Sequence, residues 1–371
     1  MFGKLTSFKT MQPKYIATTR LHSQQIAQTA YSNPVELVKW MGALQAQDFA
    51  MVQWALGLRL KDSTHHSIND AIDSGEIIRT HAMRPTWHLI AADDIYWMLE
   101  LTAPQIKSSS KSRHKWLGLT EKLIAISHSV ITNTIMRNGN STREEIANEL
   151  SKAGFEKTDN RHAHLLMLAE LDGLICSGQA IGKKQTFALL EERVPNKIIL
   201  SKEEALATLA GRYFASHCPA TLQDFVWWSG LYVKDARKAI ESISKDLIDF
   251  TLDSETYYVH HSFKEMPVAE KDLQLLPAFD EYIISYKDRS ASITSENHSK
   301  AVSNNGIFWP IIILNGQVIG TWKRAVQKEN VNIEISFFTD QPAYVKKAAE
   351  SKAKSFGAFL GKKPVITFLN K

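Results

Sequence analysis

The sequence predicts an α+β fold in which three tandem winged helix-turn-helix units precede a C-terminal β-rich, barrel-like module. Three observations predict it. Helical periodicity gives way to period-two alternation after Gly75, so that helices are followed by a two-stranded ribbon. The same order of elements recurs twice more along the chain, and repeated order points to repeated architecture even where the residues differ. Beyond about residue 270 the apolar pattern becomes that of strands, with Asn315-Gly316 between two of them as a hairpin signal.

The first unit, 1–125, includes an N-terminal extension and a basic linker. Asn33 as N-cap and Pro34 at the first helical position predict a helix over 33–44 that gives way to Gln45-Ala46-Gln47-Asp48. A second helix is expected from Phe49 to Leu58, and a third from Ser67 to Gly75. IIRTHAM and PTWHLI then read as two strands around Arg84 and Pro85. In QIKSSSKSRHKW, Lys107, Lys111, Arg113 and Lys115 form one basic stripe if helical, or else a solvated face or linker.

The second unit, 126–197, opens at Thr142 and Glu145, spaced as a capping box. The following helix, HAHLLMLAELDGL, directs Leu165, Leu168, Leu171 and Leu174 to a core and leaves Arg161, His162 and His164 nearer solvent. Two short strands around GQAIGKK, which carries Lys183 and Lys184, complete it. The third unit, 198–265, has the helices ATLQDFVWWSGL and VKDARKAIESI, then a hairpin bending at Asp253 and Ser254. There Trp227 and Trp228 read as core, because Leu222, Phe225 and Leu231 surround them in sequence. In the last unit, 266–371, LQLLPAFDEYIISY, WPIIIL, QVIGTW and VNIEISFF read as strands, and a polar-faced helix over 342–360 closes the chain.

Length agrees with several units, since 371 residues at roughly 150 per domain give about two to three. Hydrophobic residues at 44% and charged residues at 22% lie far from the composition of disordered chains. Neither a spanning apolar run nor the h-region of a signal peptide is visible, so a cytoplasmic protein without a membrane partner is expected. Cys176 and Cys218 are too few for a disulfide framework and read as structural thiols. With 44 Lys+Arg against 39 Asp+Glu the overall field is weak, and a polyanion site must come from local clustering.

Most catalytic signatures are absent. There is no HExxH or cysteine cluster for a metal, no phosphate loop, and no GxSxG elbow, so neither metal nor cofactor is expected. What stands out is Gln45-Ala46-Gln47-Asp48 at a helix end. In an extended joint two residues i and i+2 turn to one side, and both amides can converge on one small target. The plainer reading has Asp48 capping the next helix and the glutamines solvated.

The segments LVKWMGALQAQDFAMVQWALGLR and RTHAMRPTWHLI resemble the AlkZ-type, or YcaQ-like, family of winged-helix DNA glycosylases. DGLICSG, GRYFASHCPATLQDFVWWSGL, LLPAFDEYIISYKDRS and GQVIGTWKR extend the resemblance over about residues 20 to 360 in family order. The resemblance implies three tandem winged helices around a concave DNA-binding face, with a β-rich scaffold behind them. It implies a Gln-x-Gln glycosylase motif at Gln45 and Gln47, whose last place is Asp in some branches. The implied activity is excision of N7-alkylated or bulky alkylated purines, and in some members unhooking of interstrand crosslinks.

On this reading the partner is double-stranded DNA containing alkylated bases, and no obligate protein partner is inferred. Asp48 either orients an amide or favours a cationic sugar, with helix capping as its other role. Arg84, Thr86 and His88 lie in the first wing, where they enter a groove or, for His88, bond backbone in the interior. Arg161, Lys183, Lys184, Lys287, Arg289, Lys323 and Arg324 are candidate phosphate contacts. No lysine lies within QAQD, which argues for a monofunctional enzyme. A non-catalytic winged-helix regulator, its glutamines reading bases, is the alternative, and a binding scaffold is a third possibility.

Overall fold

The computed structural model describes residues 13–182, 184–264 and 271–369. Helix α1 (Pro13–Ser23) leads to α2 (Pro34–Met41), where the Asn33 side chain accepts from the Val35 and Glu36 amides. Gly42, at φ +78°, ends α2 before Leu44, where periodicity had carried it. Leu44–Gln45 instead forms a short strand, β1, which local pattern does not announce. Helix α3 (Phe49–Gly57) follows, and α4 (His65–Asp73) starts earlier than the expected Ser67 because Thr64 and Ser67 cap each other reciprocally. Strands β2 (Ile77–Ala82) and β3 (Thr86–Ala91) complete an antiparallel sheet of order β1-β3-β2.

Two linking helices, α5 (Ile95–Ser109) and α6 (Lys111–Trp116), break at Ser110, so the basic run is not one stripe. Lys107 pairs with Asp172, whereas the Arg113 guanidinium donates to the Asp159 carbonyl at 2.6 Å. Next come α7 (Glu121–Asn138), β4 (Ser141–Thr142), α8 (Arg143–Lys152), α9 (Arg161–Leu171), β5 (Ile175–Ser177), β6 (Thr186–Leu189) and α10 (Leu190–Arg193). Thr142 and Glu145 form the expected capping box. Helix α9 buries Leu165, Leu168 and Leu171 but stops before Leu174. His162 is interior rather than near solvent, because its Nε2 donates to the Phe155 carbonyl at 2.7 Å. Lys183 lies outside the described residues.

Helix α11 (Lys202–Ser216), β7 (Ala220–Thr221), α12 (Leu222–Ser229), α13 (Val233–Ser242), β8 (Leu247–Leu252) and β9 (Glu255–His260) follow, with Asp253 and Ser254 at φ +49° and +67° in the hairpin bend. The sheet orders β4-β6-β5 and β7-β9-β8 repeat that of the first sheet. In each, a two-residue strand pairs with the second arm of the hairpin.

The C-terminal part contains β10 (Leu273–Leu276), α14 (Glu281–Ile284), α15 (Ser295–Ala301), β11 (Ile311–Leu314), β12 (Gln317–Val326), β13 (Asn330–Phe337), α16 (Ala343–Phe359) and β14 (Lys363–Phe368). EYIISY, expected as strand, turns helical because Phe279 takes φ +56° and Asp280 Oδ1 accepts the Tyr282 amide at 2.9 Å. The sheet is open, in order β10-β11-β12-β13-β14, and not a closed barrel. Helix α16 is not the last element, since β14 returns parallel to β13.

Two cores position the site. One joins α2, α3 and α4 to the C-terminal sheet and α16, through residues such as Leu37, Leu56, Ile333 and Phe356. Trp54 bridges it, donating to the Leu275 carbonyl at 2.9 Å and meeting Phe356 edge-on. The other joins β2 and α5 to α11, α12 and α13 around Tyr213, Phe225 and Trp228. Cys176 and Cys218 are buried free thiols, burial pushing both up to about 12. Among the described residues no helix is long and apolar enough to cross a membrane.

Candidate active site

Strand β1 places Gln45 opposite His88 and Leu44 opposite Leu89. Directly opposed residues share a face, so Gln45 and His88 lie side by side, and Thr80 continues the row on β2. Gln45 is 6% exposed, whereas Gln47 is exposed and, among the described residues, its side chain has no hydrogen-bond partner. Their difference comes from the bend that follows β1, which takes Gln47 outward before α3 begins.

The Ala46 main-chain N–H donates to the Trp87 carbonyl at 2.6 Å, and three side chains hold Gln45-Ala46 further. The Gln45 main-chain N–H donates to Glu281 Oε1 at 2.6 Å. Arg79 donates from Nε and Nη2 to the Ala46 carbonyl, at 3.2 and 2.9 Å. Arg84 Nη2 donates to Gln45 Oε1 at 2.7 Å. A guanidinium only donates, so the Gln45 carbonyl end faces Arg84 and the NH₂ end is left for another acceptor. Asp48 Oδ1 accepts the Met51 amide at 3.1 Å and lies 3.5 Å from Arg324 Nη2, so the carboxylate caps α3 and is already ion-paired.

Glu281 is the buried charge beneath this strand. Burial by itself raises its pKa, but His217 at 3.7 Å, the Ser285 hydroxyl and the Gln45 amide outweigh that and hold the carboxyl at about 2. Trp228 Nε1 donates to the same carboxylate at 3.2 Å. His88 goes the other way: burial first, and then the Arg84 charge, push it down to about 3. Its Nδ1 faces the Thr86 carbonyl at 3.0 Å and must donate, which leaves Nε2 a lone pair, buried and unpartnered. His88 is thus interior and faces Gln45, and the Thr86 hydroxyl near it is also buried without a partner.

Beside Gln45, Arg84 reaches Trp227. Gly230, at φ +70°, ends α12 against the β2–β3 turn, where an added Cβ would stand 2.2 Å from the Met83 carbonyl oxygen. This close approach brings the Arg84 guanidinium 5.8 Å from the Trp227 ring centroid. Lys287 Nζ and the Arg289 guanidinium stand over the same ring at 5.0 and 5.3 Å. Trp228 is core as expected, but Trp227 is only half-buried; its indole N–H donates to the Ile284 carbonyl at 2.8 Å.

The remaining cations are dispersed. Arg161 begins α9, and exposed Lys184 stands 3.6 Å from Glu144. Lys323 and Arg324 are successive residues of β12 and point to opposite faces, Lys323 being exposed opposite Glu334. The sequence does not single out Arg79, Trp87 or Glu281, and it assigns Trp227 to the core rather than to the site. Arg79 lies 4.3 Å from the Trp87 ring centroid, with Arg143 at 5.4 Å. For Glu281 a signal existed, since Asp280-Glu281 interrupts an apolar run that must be buried, and buried carboxylates require partners. Among the described residues no group of three or more His, Cys, Asp or Glu is placed to hold a metal ion.

A family model described as DNA glycosylase AlkZ-like matches residues 38–359. The chain is 22% identical over 356 residues to a protein of Streptomyces sahachiroi named interstrand DNA cross-link repair glycosylase, covering 90% of this chain and 92% of that one. Its fold is similar to the solved structure of Streptomyces sahachiroi DNA glycosylase AlkZ, with a TM-score of 0.80 at 20% identity over 97% of this chain and 100% of the other.

Proposed function

The chain belongs to the AlkZ-like DNA glycosylase family, and on that premise we propose that it hydrolyses the N-glycosidic bond of alkylated bases in duplex DNA. The substrates are N7-alkyl purines and bulky or crosslinked adducts. The name of the Streptomyces relative supports including crosslinked bases. We read each three-stranded sheet with its helices as a winged helix, over 1–125, 126–197 and 198–265, backed by 266–371; the shared strand order supports this.

The observation that carries the mechanism is the polarity of Gln45. An N7-alkylpurine is cationic and leaves readily, so the enzyme must chiefly stabilise an oxocarbenium-like sugar and place a water on it. With Oε1 held by Arg84, Gln45 offers its NH₂ group as a donor toward the reacting sugar or base. Gln47, exposed and unpartnered, supplies the carbonyl that accepts a hydrogen bond from the attacking water. Asp48, engaged by the Met51 amide and Arg324, fixes the bend that presents Gln47. The Glu281 carboxylate lies under the strand and adds a fixed negative potential. Arg84, Thr86, Arg161, Lys183, Lys184, Lys287, Arg289, Lys323 and Arg324 contact DNA, while His88 acts from the interior.

The test is release of N7-methylguanine from a defined duplex, read as alkali-sensitive abasic sites, with Gln45→Ala and Gln47→Ala alongside. Release by the wild type, and its loss in both variants at unchanged DNA affinity, is expected. Undiminished release by the variants overturns the assignment of the glutamines.

A further inference from the structure

Three cations surround one indole. Arg84, Lys287 and Arg289 lie 5.8, 5.0 and 5.3 Å from the Trp227 ring centroid. Among the described residues none of the three is ion-paired, and the neighbouring carboxylates are engaged elsewhere. Asp224 faces Arg20 at 3.5 Å and accepts the Lys287 main-chain N–H at 2.8 Å. Asp288 accepts from the Ser290 amide and hydroxyl, both at 2.9 Å. Glu281 takes Gln45, Trp228 and Ser285.

Gathering like charges is unfavourable unless an anion completes the site. Unused donors point the same way. Arg84 Nε and Arg289 Nη2 are both buried without a partner, although Arg84 Nη2 serves Gln45 and Arg289 Nε donates to the Ile283 carbonyl at 2.9 Å. Burial, followed by the charge of Arg84, pushes Arg289 down to about 10, which still leaves it cationic at neutral pH. A tetrahedral oxyanion carried by the substrate matches forked N–H donors and a flexible ammonium group.

We infer that Arg84, Lys287 and Arg289, gathered on Trp227, clamp one phosphate of the DNA backbone, and that Arg84 couples this phosphate to the orientation of Gln45. Naming the anion as a DNA phosphate rests on the glycosylase reading above. The coupling follows from the fork of one guanidinium, which holds the Gln45 carbonyl with one nitrogen and offers another to the phosphate. Arg84 is therefore a positioning residue: an enzyme sitting off register leaves its guanidinium without the phosphate that steadies Gln45.

The test uses the full chain, duplexes with a single N7-methylguanine, and the same duplexes carrying a neutral methylphosphonate at each position around the lesion in turn. Removing one phosphate contact flattens the slope of log K against log salt by about 0.9. Lys287→Ala and Arg289→Ala are expected to show that flattening. At one position the methylphosphonate is expected to weaken wild-type binding and to weaken Arg289→Ala distinctly less, because only Arg84 and Lys287 then face that phosphate. Arg84→Lys keeps the charge but not the fork; it should preserve the salt slope while single-turnover excision at saturating enzyme falls at least about tenfold. Lys287 is exposed, so its substitution is expected to leave folding intact and the slope stays readable even if Arg289→Ala is unstable.

Unchanged slopes in both alanine variants, or methylphosphonate effects identical in wild type and Arg289→Ala, overturn the clamp. Full excision by Arg84→Lys overturns the coupling. A wild type that excises nothing but shows the slope change and the position-specific methylphosphonate effect retains the clamp and refutes the glycosylase reading instead.

Discussion

The main-chain N–H of Gln45 donates to the Glu281 carboxylate at 2.6 Å, joining residues 236 apart in sequence. Replacing Glu281 by Gln keeps the shape but places an amide where Gln45, Trp228 and Ser285 all donate. A buried donor left facing a donor costs about 1–3 kcal/mol. Urea unfolding of Glu281→Gln should show a loss of that size, accompanied by slower excision at saturating enzyme.

The same carboxylate sets an acid limit. Its pKa is about 2 in the folded protein against an ordinary 4.5, so its stabilisation is complete above about 4.5 and disappears as pH falls toward 2. Unfolding free energy followed over that interval should fall more steeply in the wild type than in Glu281→Gln. Parallel curves would show that Glu281 is not the responsible group.

Excision by the wild type should be flat between about pH 6 and 8, because amides do not titrate and His88 is held near 3. His88 has a second consequence for stability. With a folded pKa below the unfolded 6.5, its contribution is complete above 6.5 and is lost as pH falls toward 3. An inflection in the pH–rate profile near 6.5 would place a titrating imidazole in the reaction and refute the neutral His88.

Gln45→Glu retains a partner for Arg84 but removes the NH₂ donor. Loss of one preorganised donor to a developing transition state costs about 10²–10³ in rate. Single-turnover excision should drop by that factor while duplex affinity, measured separately, changes little. Borohydride added during turnover should trap no enzyme–DNA adduct, since the proposed nucleophile is water and not an amine.

Gly230→Ala tests how Arg84 is placed. The added Cβ would sit 2.2 Å from the Met83 carbonyl oxygen at a residue with φ +70°. Backbone must move, and a strained non-glycine residue in that conformation costs about 1–3 kcal/mol. Thermal unfolding should register the loss, and excision should fall further than stability alone explains because Arg84 moves with the turn.

Local chemistry made much of the fold readable. Asn33, Thr142 and the Asp253-Ser254 and Asn315-Gly316 bends act on residues within a few positions, and each appears where its side chain predicts. Strand β1 was not readable, because two residues carry no period and become a strand only by pairing with β3. Strand β14 likewise depends on a parallel partner, and α14 on Asp280 overriding the β-propensity of Tyr282, Ile283 and Ile284. In the site, the unusual pair of glutamines stood out by type and spacing. Their anchors did not, since Glu281 and Arg324 approach from another part of the chain.

The shared core of the first helices and the C-terminal sheet has a consequence for synthesis. A nascent chain exposes Gln45 and Gln47 long before Glu281, Arg289 and Arg324 leave the ribosome. Until they do, the two amides lack the carboxylate under their strand and the ion pair at their bend. On the proposed mechanism, competence to release a damaged base therefore arrives late in translation, and a truncated chain would carry the motif without the anchors it needs.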